Sequence, residues 1–226
     1  MTDQQPISEN IINLADAYSV VTPEDNKRLY AKWATSYERS FVESNRYRYP
    51  RAVADHFAKV VPQSIGQYFV DVGCGTGIVG ARLASIRPTC RIDGIDISPE
   101  MIGQARKKLR SDLTSVYAKF IVADLTQPQP APPMEYDAML SAGTFTHGHL
   151  GPEAIQLLLS LVRVGGWFVL GINAEHFDSR GFAEVLSNAN LGGEITAPVF
   201  HKIQVYEESS QHYGDQAVIA TFSRIN

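Results

Sequence analysis

Four glycines, Gly73, Gly75, Gly77 and Gly80, follow one another closely behind the short apolar run FVDV. Lacking side chains, such a turn closes tightly and lets a ligand touch backbone N–H groups, and a helix starting there adds free donors. Cys74 sits inside the same turn. Acidic residues then follow at spacings that suit the rest of a nucleoside. Asp71, within the run, can hold a water network or an ammonium group. Asp96 closes RIDGID, 19 residues after Gly77, and is placed to accept both hydroxyls of a ribose. In VADL, Asp124 can accept from an exocyclic adenine amine with the Leu125 N–H beside it, while Ile97 and Met101 can sandwich a flat base. Any one of these acids alone would serve equally as a helix cap or a solvated strand end. Their order is what points to an adenosine-bearing ligand.

Gly75-x-Gly77-x-x-Gly80 also matches a dinucleotide fingerprint literally, so a nicotinamide-dependent oxidoreductase is a rival. Asp71 weighs against it, because a carboxylate there repels a pyrophosphate and tolerates a ligand without phosphate. Further polar groups cluster in three later loops. They are Thr144, Phe145, His147 and His149, then Asn173, Glu175 and His176, and last His212 and Tyr213. Histidine titrates near neutrality, so His147 in THGH is the expected base, with a solvated loop histidine as the alternative. Phe145, His149, Asn173, Glu175, His212 and Tyr213, with Tyr47, are expected to wall the substrate. No carboxylate or cysteine lies at a spacing that would support His-x-His as a metal site, so no metal is expected. Arg46, Arg48 and Arg51 in NRYRYPR are too few for a nucleic-acid surface and fit a solvated helix junction or a carboxylate contact.

Elements that could carry these groups are legible in the hydropathy pattern. Short apolar runs predict strands at Tyr68 to Val72, Arg91 to Ile95, Lys119 to Val122, Asp137 to Ser141 and Trp167 to Ile172. Helices are expected between them, at about Thr76 to Ser85, Pro99 to Leu109, Pro152 to Leu161 and Gly181 to Asn188. That alternation predicts βαβ units and a parallel sheet. His201 to Glu207 and Ala217 to Arg224 alternate across the turn-rich SSQHYGD and predict a closing antiparallel pair. Ahead of the sheet, Leu29, Trp33, Tyr37 and Phe41 recur every four residues, as in helices. The proline-rich TQPQPAPP is an exposed connection. One helical segment, 1–62, and one α/β core, 63–226, follow, together making a single domain.

Of the 226 residues, 44% are hydrophobic and 19% charged, enough for a real core and too few charges for wholesale disorder. A net charge of -4 provides no general attraction to nucleic acid or anionic membrane. Two cysteines exclude a disulfide scaffold and suit a reducing compartment. The first twenty residues do not form a secretory signal, and no run approaches the ~20 apolar residues of a membrane span. The expected location is cytoplasmic, with no membrane partner.

DVGCGTG, GIDIS and VADL, in this order and spacing, resemble the class I S-adenosylmethionine-dependent methyltransferase family over residues 65–175. YAKWATSYERSF and SAGTFTHGHLGPEAI further resemble the Williams-Beuren-region methyltransferase-like group. The resemblance implies a doubly wound, Rossmann-like, seven-stranded, mostly parallel sheet with an antiparallel terminal hairpin and an N-terminal helical lid. It implies S-adenosyl-L-methionine as cofactor, with Gly73, Gly75 and Gly77 at its methionine end, Asp96 on ribose and Asp124 on adenine. Ser141, ending the fourth strand, belongs to the same expected cofactor set. Tyr18, Tyr30, Trp33, Tyr37, Tyr47 and Tyr49 can attract a sulfonium and cover the cleft, or simply pack a helix on the core. The expected reaction is methyl transfer to a small-molecule acceptor through N, O or an electron-rich carbon. SAGTF stands where amine-methylating nucleic-acid enzymes share an Asx-Pro-Pro-aromatic motif, and no extra domain is seen to grip a macromolecule. A non-catalytic cofactor-binding or regulatory protein is the alternative.

Overall fold

The computed structural model describes residues 20, 22–127 and 136–226. Tyr18 and most of the proline-rich connection lie outside them. Strands β1 (Tyr68–Val72), β2 (Arg91–Asp96), β3 (Lys119–Val122), β4 (Tyr136–Phe145), β5 (Val162–Asn173), β6 (Val199–Gln204) and β7 (Gln216–Ser223) form one sheet ordered β3-β2-β1-β4-β5-β7-β6. The first five run parallel, and β7 is antiparallel to both β5 and β6. This is the mostly parallel seven-stranded sheet with a reversed end that the sequence predicts.

Helices α1 (Pro23–Trp33), α2 (Tyr49–Val60), α3 (Ile78–Ile86), α4 (Pro99–Ala105), α5 (Ile155–Leu159), α6 (Ala174–Ser179) and α7 (Phe182–Leu191) flank it. The two layers follow from strand alternation. In β1, Phe69 packs with Val53, Phe57 and Leu83 on one face, while Val70 and Val72 join Leu158, Phe182 and Leu186 on the other. Phe57, Phe69, Leu83, Leu158 and Phe182 have no exposed surface, and each fully buried side chain of this size contributes about 1.5 to 3 kcal/mol.

Several boundaries differ from the expected ones for local reasons. Helix α3 begins at Ile78, not Thr76, because Gly77 caps it from the left-handed region at φ 87°. The helix after β2 stops at Ala105 rather than Leu109, where the chain turns into the Leu109–Ser115 bridge. The stretch after β4 is split into a 3-10 turn at Pro152–Ala154 and the short α5. Strand β5 starts at Val162, five residues early, because a register shift between Tyr136 and Ala138 accommodates the extra residues around Gly165. Helix α6 was not expected. Asn173 caps it, its side-chain oxygen accepting from the His176 N–H at 3.0 Å.

The front of the chain carries its own logic. Thr22 caps α1 by accepting from the Asp25 N–H at 3.1 Å. After α1 the chain makes a π-helical turn, Glu38–Glu43, and the Trp33 indole N–H donates to Ser40 Oγ at 3.0 Å. A bridge between Tyr47 and Tyr206, with the Arg48 N–H donating to Val205 O at 3.1 Å, ties this segment to the sheet's reversed end. Residue 62 is therefore a boundary in sequence, while the aromatics before it share the core cluster of the sheet's first face.

Candidate active site

The strand order reverses between β1 and β4, and a crevice opens there beyond the carboxyl ends of the parallel strands. A cavity of about 210 Å³ fills it. Its floor is the turn after β1. Gly73 and Cys74 N–H groups both donate to Ile95 O, at 2.8 and 3.0 Å, which folds the turn onto β2. Gly73 takes φ 68°, and a Cβ there would lie 1.7 Å from Thr144 Oγ1, so only glycine lets the turn reach β4. Thr144 in turn donates to Val72 O at 3.1 Å.

Asp96 is the best-placed acid. Its Oδ2 accepts from the Gly75 N–H at 2.7 Å and its Oδ1 from the Ser98 N–H at 2.9 Å. Burial pushes its carboxyl upward, and these backbone donors oppose that shift. Each oxygen retains a lone pair for a ligand hydroxyl. Asp124 Oδ1 accepts from the Thr126 N–H and hydroxyl, at 2.9 and 2.6 Å, which fixes the turn after β3.

The cavity brings together Gly73, Cys74, Gly75, Asp96, Ile97, Met101, Asp124 and Leu125 on one side. On the other stand Tyr30, Trp33, Tyr37, Tyr47, Phe145, His147, His149 and Asn173. Burial holds the Tyr37 and Tyr47 hydroxyls well above their ordinary range, so both stay neutral. His149, edge-on to Tyr30 at 5.7 Å, is lowered to about 4 by burial first and then by His176 and His147. His147 is exposed at the rim.

Other expected site residues stand elsewhere, each for a packing reason. Asp71 does not line the cavity; it lies behind Tyr117, whose hydroxyl donates to its Oδ2 at 2.6 Å. Burial raises that carboxyl to about 7. Gly80, the last glycine of the fingerprint-like run, also serves this pair. A Cβ there would meet Tyr117 Oη at 2.3 Å, and the Gly80 N–H donates to that oxygen at 3.2 Å. The third glycine of the literal GxGxxG spacing thus serves packing. Gly77 shapes the helix cap, and Ser141 spends its hydroxyl on Val72 O at 2.7 Å, both outside the cavity lining. Glu175 is exposed on α6, His212 leans on Tyr206 at 5.4 Å, and Tyr213 is half exposed; none of the three lines the cavity.

Asn26, Val205 and Tyr206 are among the lining residues that escaped the sequence reading. Asn26 shares the face of Tyr30 and Trp33 at helical spacing, a signal that was available. Val205 and Tyr206 had none, since the Tyr47 bridge alone delivers them.

An α/β sheet with a glycine turn and a carboxylate at the second strand end suits an adenosine-bearing ligand. Residues 69–166 match the methyltransferase domain family. Human methyltransferase-like protein 27 is 31% identical over 128 residues, covering 56% of this chain and 49% of that protein. Malonyl-[acyl-carrier protein] O-methyltransferase 1 of Ilyobacter polytropus is 32% identical over 162 residues, covering 69% and 56% respectively. The chain therefore spans about half the length of these relatives. An S-adenosylmethionine-dependent methyltransferase from Clostridium acetobutylicum superposes with a TM-score of 0.58 at 14% identity, over 87% of this chain and 99% of that one. The chain carries a class I, S-adenosylmethionine-dependent methyltransferase domain.

Among the described residues, no helix is long and apolar enough to cross a membrane.

Proposed function

We propose that this chain moves a methyl group from S-adenosylmethionine to a small-molecule acceptor by in-line displacement. The observation that carries the reading is the two-sided cavity, with a nucleoside-type wall of backbone donors and acids facing an aromatic wall. Thr76 Oγ1 fits it too, being buried in the lining with no hydrogen-bond partner among the described residues. When bound, the cofactor supplies an electrophilic methyl on a positively charged sulfur. Everything else falls to the chain. The Gly73 to Gly75 turn and Asp96 orient the adenosyl part, Asp124 and Leu125 meet its base, and Ile97 and Met101 pack against the ring.

Orientation and exclusion of water supply most of the rate in such a displacement. Residues 1–62 act as the lid on the 63–226 core, with the rings of Tyr30, Trp33 and Tyr37 facing the sulfonium. Phe145, His149, Asn173 and Tyr47 position the acceptor, and His147 takes its proton at the open rim. The acceptor is a small molecule rather than nucleic acid, which the cavity's volume of about 210 Å³ supports. Two free, buried cysteines, Cys74 and Cys90, are in keeping with a cytoplasmic setting. Incubating the protein with labelled methyl donor and fractionated small-molecule extract tests the reading. Transfer of label to a low-mass product is expected, and label found only on protein or nucleic acid would overturn it.

A further inference from the structure

The acceptor side of the cavity is unusual in what it leaves out. Among the described residues, no lysine or arginine lines the cavity, and residues 1–21 and 128–135 contain neither. Cover supplied by those segments adds no cation of either kind. The two lining carboxylates, Asp96 and Asp124, close β2 and β3 on the adenosyl side. Facing them is a nest of rings. Trp33 meets Tyr37 edge-on at 5.1 Å, Phe41 meets Tyr47 at 5.0 Å, and Tyr47 meets Tyr206 at 5.4 Å.

The tyrosine hydroxyls and the inner histidine among these rings are neutral. Burial keeps the hydroxyls of Tyr37, Tyr47 and Tyr49 protonated, and His149 is uncharged at physiological pH. Tyr49 adds a second, independent mark. Its side chain is 3% exposed and lines the cavity, the Gly143 backbone approaches its hydroxyl oxygen, and its hydroxyl proton makes no hydrogen bond among the described residues. A buried donor in that state waits for a partner.

We infer that the acceptor end takes an uncharged aromatic molecule and rejects carboxylates and phosphates. This rests on the methyl-transfer reading above. A buried carboxylate needs a cation to offset its lost hydration, and apart from the exposed His147 at the rim this wall offers uncharged donors, the tyrosine hydroxyls with Thr144, Thr146, Asn26 and Asn173. A cationic acceptor fares no better, because its charge would be brought against the sulfonium of the donor. A flat, uncharged ring gains edge-to-face and stacked contacts and can accept from Tyr49.

The test is affinity selection read by mass spectrometry, on the full chain saturated with S-adenosylhomocysteine. The probes are matched pairs, cinnamamide with cinnamate and 4-hydroxybenzyl alcohol with 4-hydroxybenzoate, together with citrate. The uncharged member of each pair should be retained about tenfold or more above its carboxylate, and citrate should not be retained. Carboxylates retained equally or better, or no uncharged member retained at all, overturn the inference. Calorimetry with S-adenosylhomocysteine on the same sample separates the two levels. Absent binding there sinks the methyl-transfer reading, while normal binding with a carboxylate preference sinks this inference alone.

Discussion

Replacing Asp96 by Asn changes one atom and should disable the cofactor site. In the protein both carboxylate oxygens already accept backbone N–H groups, Oδ2 from Gly75 at 2.7 Å and Oδ1 from Ser98 at 2.9 Å. An asparagine has one acceptor and one donor, so whichever way it turns, its amide N–H faces either Gly75 or Ser98. One backbone donor, at Gly75 or at Ser98, is then left without an acceptor, while Gly73 and Cys74 still tie the turn to Ile95 O. A ligand hydroxyl meanwhile loses a charge-assisted hydrogen bond of about 1.5 to 3 kcal/mol, equivalent to about ten- to a hundredfold in affinity. The isosteric change should therefore weaken S-adenosylhomocysteine binding nearly as much as Asp96→Ala. Isothermal calorimetry on both variants measures it, with thermal melting as a check that the fold persists. An Asn variant that binds like the parent would show that the charge and the paired acceptors are irrelevant to the ligand.

Tyr117→Phe probes the buried pair behind the turn. Because the Asp71 carboxyl is raised from 3.8 to about 7, its contribution to stability is greatest below pH 3.8 and is lost as pH rises through about 7. At about 1.4 kcal/mol per pKa unit, the loss is on the order of 4 kcal/mol. Removing the Tyr117 hydroxyl takes away the donor that favours the ion, so urea melts should show a larger destabilisation at pH 8 than at pH 5; equal losses would refute the coupling. For the front segment, hydrogen exchange across Tyr30 to Phe41 should slow when S-adenosylhomocysteine binds, and unchanged exchange would mean a purely structural role. His147→Ala should lower kcat by roughly a hundred- to ten-thousandfold with cofactor affinity intact, whereas near-normal kcat with a raised acceptor KM would make His147 a positioning group.

Much of this protein was legible before any coordinates. Strand β1 and its glycine turn, Asp96 at the end of β2 and Asp124 after β3 are local signals, because each depends on hydropathy period or on backbone freedom within a few residues. Carboxylates at strand ends also land where the parallel sheet opens, so sequence order alone placed them on one rim. Residues facing each other across the chain were not legible in this way. Asp71 stood in the right strand, yet strand alternation turned it to the face where Tyr117, 46 residues on, closes over it. Tyr206 entered the cavity wall through a bridge to Tyr47 that no local pattern announces. His212 and Tyr213, in a loop of the right character, stayed outside the lining, although Val205 and Tyr206 at the start of the same connection belong to it. The sequence by itself determined the sheet, the turn and the acids at the strand ends. Only the tertiary structure decided which aromatics share one cavity and that, among the described residues, no lysine or arginine lines it, because those facts depend on long-range packing, where sequence distance and spatial distance part company.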